Sequence, residues 1–366
     1  MILKHKDHFH GSDLEKIEAI YGIRRDTITS YSANVNPLGI SPKAAEAIAH
    51  NLHCIETYPD REYTALKKSI ADYAGCDISQ ILVGNGTTEL ISHVIAHTLP
   101  KKALILGPTY SEYEHSVSVC NGSSVYFPLQ EKGSFALRVE ALTDKLTDDT
   151  DLLVICNPNN PTGTSITLSD MRTILNCCME HGIFVMVDET YIEFVSDLKR
   201  YSAIPLTNDY NNLIVLRGVS KFFAAPGLRL GYAVTGNTNL LSRISTNADP
   251  WTINSFAELA GTVMFRDTSY IEKTRELITA ERERMYRLFS ESSRFKAYPP
   301  SANFMLLRIE EDGLTSQSLF DACIREKMMI RDCSTFPFLD DRYIRFCFLM
   351  PEQNDRLLEK LLSKNL

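Results

Sequence analysis

Five short apolar segments in the first two thirds of the chain, each ending in glycine, proline or a polar cluster, most constrain its fold. Between two of them, apolar residues recur at the spacing of one helical face, and Thr167 and Gly182 are typical of that helix's two ends. Buried strands that alternate with amphipathic helices indicate a mostly parallel sheet covered by helices on both faces. We therefore predict an α/β fold. The segments are Ile81–Val83, Ala103–Leu106, Asp151–Cys156, Ile183–Val187 and Leu213–Leu216.

The chain is predicted to form a large and a small domain. A helix that begins at Ser41-Pro42 opens the large domain, residues 41–245. Beyond it the pattern changes to a long charged helix near 269–290 and short strands near 304–308, 328–331 and 343–348. We expect residues 246–366 to form a smaller α+β domain, joined by an N-terminal arm of residues 1–40.

Composition excludes several classes of function. The net charge is −8 and no basic block occurs, so binding to nucleic acid or to an anionic membrane surface is not expected. No apolar run reaches the roughly 18 residues that span a bilayer, and no signal peptide is recognisable. The nine cysteines are scattered without a CxxC motif. This spacing argues against disulfides and zinc and favours a reducing cytoplasm, with no metal.

Polar residues follow the predicted strands at the sheet edge where α/β proteins bind ligands. Lys221 ends LIVLRGVSK, and a partly buried lysine there can form imines with aldehydes. Asp188 ends IFVMVD, where a buried carboxylate requires a cation such as a protonated pyridine. Tyr191 could reach a ring hydroxyl. Taken singly, Lys221 is more typical of a surface residue, and Asp188 of a helix N-cap or a surface acid.

A glycine-containing turn, Gly84–Glu89, lies between a predicted strand and a predicted helix. Backbone N–H groups at such a helix start bind anions, and Thr87 and Thr88 add hydroxyl donors. Arg229, in PGLRLG, could supply the positive charge for a phosphate. Alone, this turn is also compatible with an ordinary helix start.

Three motifs together are far more specific. NPNNPTG at 157–163, VDE-x-Y at 187–191 and SK-x7-R-x-G at 220–231 resemble the signature of fold-type I pyridoxal 5′-phosphate (PLP) enzymes of the class I/II aminotransferase superfamily. The resemblance implies a Schiff base between Lys221 and PLP, and Asp188 as the partner of the ring nitrogen. It implies ring contacts from Asn160, Tyr191 and Tyr110, and a phosphate site of Gly86, Thr87, Thr88, Ser220 and Arg229. It also implies that Tyr58 reaches the phosphate of a neighbouring subunit in a homodimer, and that Arg345 binds the substrate carboxylate.

Within this superfamily, segments from about residue 10 to the C-terminus look most like the threonine-phosphate decarboxylases of cobalamin biosynthesis. That resemblance implies a small phospho-amino acid substrate, contacted by His10, Gly11, Asn34, Asn160 and Arg331, and aminopropanol phosphate as the product. One departure is Gly218, because many relatives carry serine or threonine three residues before the lysine. Thr88 or a water could replace that hydroxyl.

Two alternatives remain open. A histidinol-phosphate aminotransferase would share the length and the motifs, and would transfer the amino group instead of releasing CO2. A PLP-fold sensor domain of a transcription regulator would need a basic helix-turn-helix, for which no room precedes Tyr31.

Overall fold

Thirteen strands form within residues 11–363, the part of the chain that the computed structural model describes. They are β1 Thr29–Ser30, β2 Ile81–Gly84, β3 Lys102–Gly107, β4 Ser123–Pro128, β5 Leu152–Cys156, β6 Phe184–Asp188, β7 Leu213–Gly218, β8 Gly231–Val234, β9 Phe295–Ala297, β10 Phe304–Ile309, β11 Met328–Met329, β12 Arg331–Asp332 and β13 Tyr343–Cys347.

The same residues form thirteen α-helices. They are α1 Leu14–Tyr21, α2 Pro42–His50, α3 Thr64–Ala74, α4 Thr87–Thr98, α5 Glu112–Val119, α6 Val139–Thr143, α7 Leu168–Glu180, α8 Leu198–Tyr201, α9 Thr238–Asn247, α10 Ser255–Met264, α11 Thr268–Ser290, α12 Ser316–Arg325 and α13 Pro351–Leu362. None of the described helices is long and apolar enough to cross a membrane.

A seven-stranded sheet in the order β2-β8-β7-β6-β5-β3-β4 positions the predicted site. All its neighbouring strands are parallel except β8, which runs antiparallel to both β2 and β7. In the register, Asp188 at the end of β6 lies opposite Cys156 of β5 and Leu216 of β7. The polar segments that follow these strands therefore share one edge, and the predicted α/β fold is confirmed.

The N-caps of α2 and α7 agree with the sequence prediction. The Ser41 side chain accepts a hydrogen bond from the Ala44 amide at 3.3 Å, with Pro42 at the first helical position of α2. Thr167 caps α7 by accepting from the Asp170 amide at 3.2 Å. The predicted apolar face of α7 is buried along its length: Met171, Ile174, Leu175 and Cys178.

The sequence prediction missed β1, β4, β8 and β9 and merged β11 with β12. β4 was missed because, as an edge strand, it is only partly buried and carries no continuous apolar run. β8 was missed because it begins at Gly231, the last residue of the PGLRLG segment that was interpreted as a turn. The single strand predicted at 328–331 is two short strands. β11 pairs parallel with β1, whereas β12 pairs antiparallel with β13.

A four-stranded antiparallel sheet, β12-β13-β10-β9, lies in the C-terminal part. Residues 29–36 connect it to the large sheet: the Tyr31 carbonyl accepts from the Cys347 amide, and the Asn36 amide donates to the Lys221 carbonyl. The N-terminal segment thereby reaches the predicted site from the small sheet. The proposed domain boundaries at residues 40 and 245 remain predictions.

Candidate active site

Lys221 lies just beyond β7 and points toward the N-terminal segment. Its Nζ donates a hydrogen bond to the Ala33 carbonyl at 2.7 Å. Burial and the positive charges of Arg345 and Arg229 lower the pKa of Lys221 to about 8. Near neutral pH this amine therefore has a much larger neutral, nucleophilic fraction than an ordinary lysine.

Asp188 is 4% exposed, and neutral donors hold both its oxygens. Oδ1 accepts from the Thr190 amide at 2.9 Å and the Thr190 hydroxyl at 2.5 Å, while Oδ2 accepts from the Tyr113 hydroxyl at 2.7 Å. Burial raises the pKa of Asp188, and these hydrogen bonds oppose the rise. Within residues 11–363 no basic side chain forms a salt bridge with it. A cationic ring nitrogen would supply the missing charge.

A cradle for an anion forms where β2 meets α4. Gly86, at φ 85°, precedes the helix, and a Cβ there would lie 2.4 Å from Nη2 of Arg229. Only glycine lets the guanidinium lie this close to the backbone. Arg229 itself has φ 57° and donates to the Asn85 carbonyl at 3.3 Å. The guanidinium thus lies beside the amides that open α4, an arrangement that suits a phosphate.

Gly218 is packed against this cradle. A Cβ at residue 218 would lie 3.0 Å from Cγ2 of Thr87 and 3.3 Å from the Leu230 carbonyl oxygen. The Thr87 methyl therefore occupies the space into which a serine or threonine at 218 would extend. The Thr88 hydroxyl forms a hydrogen bond with Tyr110 that partly offsets the burial that raises the pKa of that tyrosine to about 12. Ser220 is partly buried beside Lys221.

A second network joins the N-terminal segment to the predicted ring and carboxylate ligands. Asn34 donates to the Tyr191 hydroxyl at 3.3 Å. Arg345 is 4% exposed and donates through Nη2 to the Ser32 carbonyl at 2.7 Å and through Nη1 to Oδ1 of Asn160. These four predicted site residues, Asn34, Asn160, Tyr191 and Arg345, thus lie within one set of contacts.

Arg331 on β12 lies directly opposite Arg345 on β13. Its Nη2 donates to the Thr335 hydroxyl at 3.1 Å, and its guanidinium lies 5.4 Å from the centre of the Phe336 ring. Both arginines therefore project from the same face of the small sheet. Gly11 packs against the segment that contains Ser32, since a Cβ at residue 11 would lie 2.7 Å from the Ser32 carbonyl oxygen.

Of the two remaining predicted site residues, only Tyr58 belongs to the part of the chain that the structure describes. His10 lies outside the described residues. Tyr58 is 77% exposed and packs against Trp251, with ring centres 4.5 Å apart and planes tilted by 33°. Such exposure agrees with a contact outside its own chain, and the assignment of Tyr58 remains a prediction.

Sequence reasoning missed several residues that support the site. Tyr113 and Thr190 hold Asp188, the Ala33 and Ser32 carbonyls accept from Lys221 and Arg345, and Asn303 donates to the Asn34 carbonyl at 2.9 Å. Only Tyr113 carries a usable signal, because it is a second tyrosine three residues after Tyr110 and lies in the first turn of α5. The backbone carbonyls carry no side-chain signal at all.

Six buried polar atoms without a hydrogen-bond partner among residues 11–363 lie in these segments. Such atoms are rare in folded proteins and are expected where a ligand binds. Together with the amine, the carboxylate and the anion cradle, they fit a flat heteroaromatic ring that carries a phosphate and an aldehyde. These six atoms, a part of all such atoms in residues 11–363, are Ser32 Oγ, Asn34 Oδ1, Thr109 Oγ1, Asn159 Oδ1, Asn303 Oδ1 and Arg345 Nε.

Comparison with known proteins gives consistent matches over nearly the whole chain. Residues 26–361 match the family model described as aminotransferase class I and II. The threonine-phosphate decarboxylase of Salmonella typhimurium is 34% identical, over 96% of this chain and 95% of its own length. The histidinol-phosphate aminotransferase of Methanothermobacter thermautotrophicus is 30% identical, over 96% and 92%. The crystal structure of the histidinol-phosphate aminotransferase from Clostridium acetobutylicum superimposes with a TM-score of 0.84 at 34% identity, over 90% of this chain and 97% of that one.

Proposed function

Because the chain belongs to the class I and II aminotransferase family and uses PLP as its cofactor, we propose that it decarboxylates a small phospho-amino acid. The proposed substrate is O-phospho-L-threonine and the proposed products are CO2 and (R)-1-aminopropan-2-yl phosphate, a precursor of the cobalamin side chain. The observation that carries the proposal is the Arg331–Arg345 pair, beside relatives named for this activity.

The cofactor is assigned to the residues around Lys221. The phosphate is assigned to the α4 amides and Arg229, and the ring nitrogen to Asp188. When bound, PLP supplies a protonated ring that accepts the electron pair of the bond broken at Cα. The full proposed set is Gly86, Thr87, Thr88, Tyr110, Asn160, Asp188, Tyr191, Ser220, Lys221 and Arg229, with Tyr58 from a second subunit.

Two guanidinium groups on one face suit a substrate with two anionic groups. Like charges directly opposite on paired strands are destabilising by themselves, and a bound anion relieves that repulsion. We assign the carboxylate to Arg345, which reaches Asn160, and the distal phosphate to Arg331. Asn34, Gly11 and His10 complete the proposed substrate set.

The chain's own residues have three tasks in the proposed reaction. Arg345 orients the carboxylate so that the bond to Cα is the one that breaks, which depends on placement at about the ångström scale. CO2 leaves, and one proton must be added at Cα. Lys221 is the proposed donor, because an amine with a pKa of about 8 can exchange protons near neutral pH.

A histidinol-phosphate aminotransferase is the second candidate. It is favoured by the 30% identical relative and by the superposition at a TM-score of 0.84. In that case the same two arginines would bind the phosphate of one substrate and the carboxylates of the other. The proton at Cα, not the carboxylate, would then leave.

The deciding experiment measures CO2 release from O-phospho-L-threonine by the holoenzyme without any oxo acid. One CO2 per aminopropanol phosphate supports the decarboxylase. No CO2, with conversion of the cofactor to its pyridoxamine form by histidinol phosphate and reversal by 2-oxoglutarate, identifies the aminotransferase. Lys221→Ala is the matched blank, since it removes the amine that both reactions require.

Assembly as a homodimer is part of the proposal. Leu52, Ile55 and Tyr58 are 59%, 63% and 77% exposed, and Trp251, which packs against Tyr58, is 39% exposed. We call these four residues the Tyr58 patch. A contiguous exposed apolar and aromatic patch favours an interface, and a second copy would bring Tyr58 to the neighbouring cofactor. A cytoplasmic location completes the proposal, because all nine cysteines are free thiols.

A further inference from the structure

Tyr113 is a buried residue of the site to which no function has been attached. It is 1% exposed, lies in the first turn of α5, and donates its hydroxyl hydrogen to Oδ2 of Asp188 at 2.7 Å. Its ring packs in an apolar cluster with α4 and the sheet, including Leu90 and Ile91. The hydroxyl therefore lies at the end of a rigid, well-packed side chain.

The two oxygens of Asp188 are held in different ways. The Thr190 donors come from the same short turn, two residues away. Tyr113 lies 75 residues from Asp188 and belongs to a different element. Removing the Tyr113 hydroxyl would therefore leave the turn intact but would remove the one donor to Oδ2 of Asp188 among the described residues.

Tyr113 also contacts the predicted ring-stacking residue. The Tyr110 and Tyr113 rings meet edge to face, with centres 5.7 Å apart and planes at 87°. One helix start therefore sets both the aromatic face offered to the ring and the orientation of the carboxylate offered to its nitrogen. Burial and the Asp188 charge hold the pKa of Tyr113 well above its usual value, so the phenol stays a donor at working pH.

We propose that Tyr113 is a positioning residue that keeps Asp188 ionised and aimed at the cofactor's ring nitrogen. A hydrogen bond to a carboxylate favours its charged form, and burial here acts in the opposite direction. Without the phenol, a smaller fraction of Asp188 would be ionised, and the carboxylate would stabilise the protonated ring nitrogen less well. This inference rests on the proposed pairing of Asp188 with the cofactor, and it holds for either reaction.

The test compares Tyr113→Phe with Tyr210→Phe in the full-length protein. Tyr210 is a matched control, since it is 5% exposed and its hydroxyl donates to Asn176 at 2.6 Å, away from the site. The readouts are the PLP dissociation constant, the pH titration of cofactor absorbance near 420 nm, and kcat and KM. For Tyr113→Phe we expect roughly tenfold weaker PLP binding, since hydrogen bonds to charged groups are the stronger ones. We also expect a shifted titration and a lower kcat with KM little changed.

Unchanged PLP affinity and titration in Tyr113→Phe would overturn the proposal, as would equal losses in Tyr210→Phe. Thr190→Val provides an independent comparison, because it removes one donor to the other oxygen and should shift the titration in the same direction. The cofactor readouts involve no substrate, so they remain valid if the protein proves to be an aminotransferase. If Lys221→Ala leaves the 420 nm absorbance intact, the cofactor assignment itself fails.

Discussion

Arg331 and Arg345 lie directly opposite each other on the antiparallel strands β12 and β13. Each also has a separate neutral support, the Thr335 hydroxyl and Phe336 ring for Arg331 and the Ser32 carbonyl for Arg345. The two positive charges are therefore held in place by the fold before any substrate binds. A site preorganised in this way favours a ligand with two separated anionic groups.

Arg331→Gln should weaken binding of the phosphorylated substrate without disturbing the fold. We expect KM for O-phospho-L-threonine to rise about 10- to 100-fold, since a hydrogen bond to a charged group contributes about 1.5–3 kcal/mol. Inorganic phosphate should raise the melting temperature of the wild-type holoenzyme more than that of the variant. Arg308→Gln, a partly exposed arginine on β10 paired with Glu310, is the control. Equal KM values for Arg331→Gln and wild type would contradict the assignment.

The amine of Lys221 should react with PLP in a pH-dependent way. Only the neutral amine attacks an aldehyde, so the rate of PLP binding by the apoprotein should increase with pH, with a midpoint near the pKa of about 8. Arg345→Gln should move this midpoint upward, because the Arg345 charge is one cause of the lowered pKa of Lys221. Stopped-flow absorbance measures the rate, and a wild-type midpoint near 10 would show that burial is not acting as described.

Gly218→Ser should weaken PLP binding, although many relatives carry a serine or threonine hydroxyl at this position. The new Cβ would lie 3.0 Å from the Thr87 methyl, so either Thr87 or the strand must shift. Overpacking of this kind costs about 1–3 kcal/mol. Adding Thr87→Ser, which removes that methyl and keeps the hydroxyl, should recover the affinity. The idea fails if the single variant binds PLP as tightly as the double variant.

Glu193 should make stability depend on pH. It is fully buried, and burial raises its pKa to about 7 against the attraction of Arg217. The unfolded carboxyl loses its proton near 4.5 while the folded one keeps it, so stability should fall as pH rises from about 4.5 to 7. The fall should be on the order of 3 kcal/mol. Glu193→Gln, which stays neutral, should match wild type at pH 5 and exceed it at pH 8 in urea midpoint.

The control for this comparison is the exposed Glu272→Gln, which should follow the wild-type pH profile. A wild-type urea midpoint that is flat between pH 5 and pH 8 would show that Glu193 ionises freely in the folded protein.

Ile55→Asp should disrupt the proposed dimer through the Tyr58 patch. A charge in the centre of an apolar interface is costly to bury, so light scattering should show a smaller species than wild type. PLP affinity should fall as well, since the partner's tyrosine would be lost from the phosphate site. Val119→Asp is the matched control, because Val119 is 67% exposed and lies outside the patch. If the wild-type protein is a monomer, Tyr58 cannot contact the cofactor of a second subunit, and its proposed role is wrong.

Much of the fold could be predicted from the sequence, and so could the residues proposed for the cofactor site. The buried strands are continuous apolar runs and the helices carry caps, so both could be recognised locally. Lys221, Asp188, Gly86 and Arg229 lie at strand ends or turns, and parallel strands bring such ends to one edge regardless of detail. The resemblance of the three motifs to those of PLP enzymes added a proposed role for each residue, which spacing alone did not supply.

The tertiary structure decided what depends on contacts between distant segments. Tyr113 meets Asp188 across 75 residues, and the Ser32 and Ala33 carbonyls support Arg345 and Lys221 through backbone atoms that every residue possesses. Arg331 and Arg345 lie opposite each other only in this strand register. A shift of one residue would place one of the two side chains on the other face of the sheet. Local patterns determine which segments form and where reactive side chains stand along them. Only packing determines which of those side chains meet, because the hydrogen bonds that fix them join residues far apart in the chain.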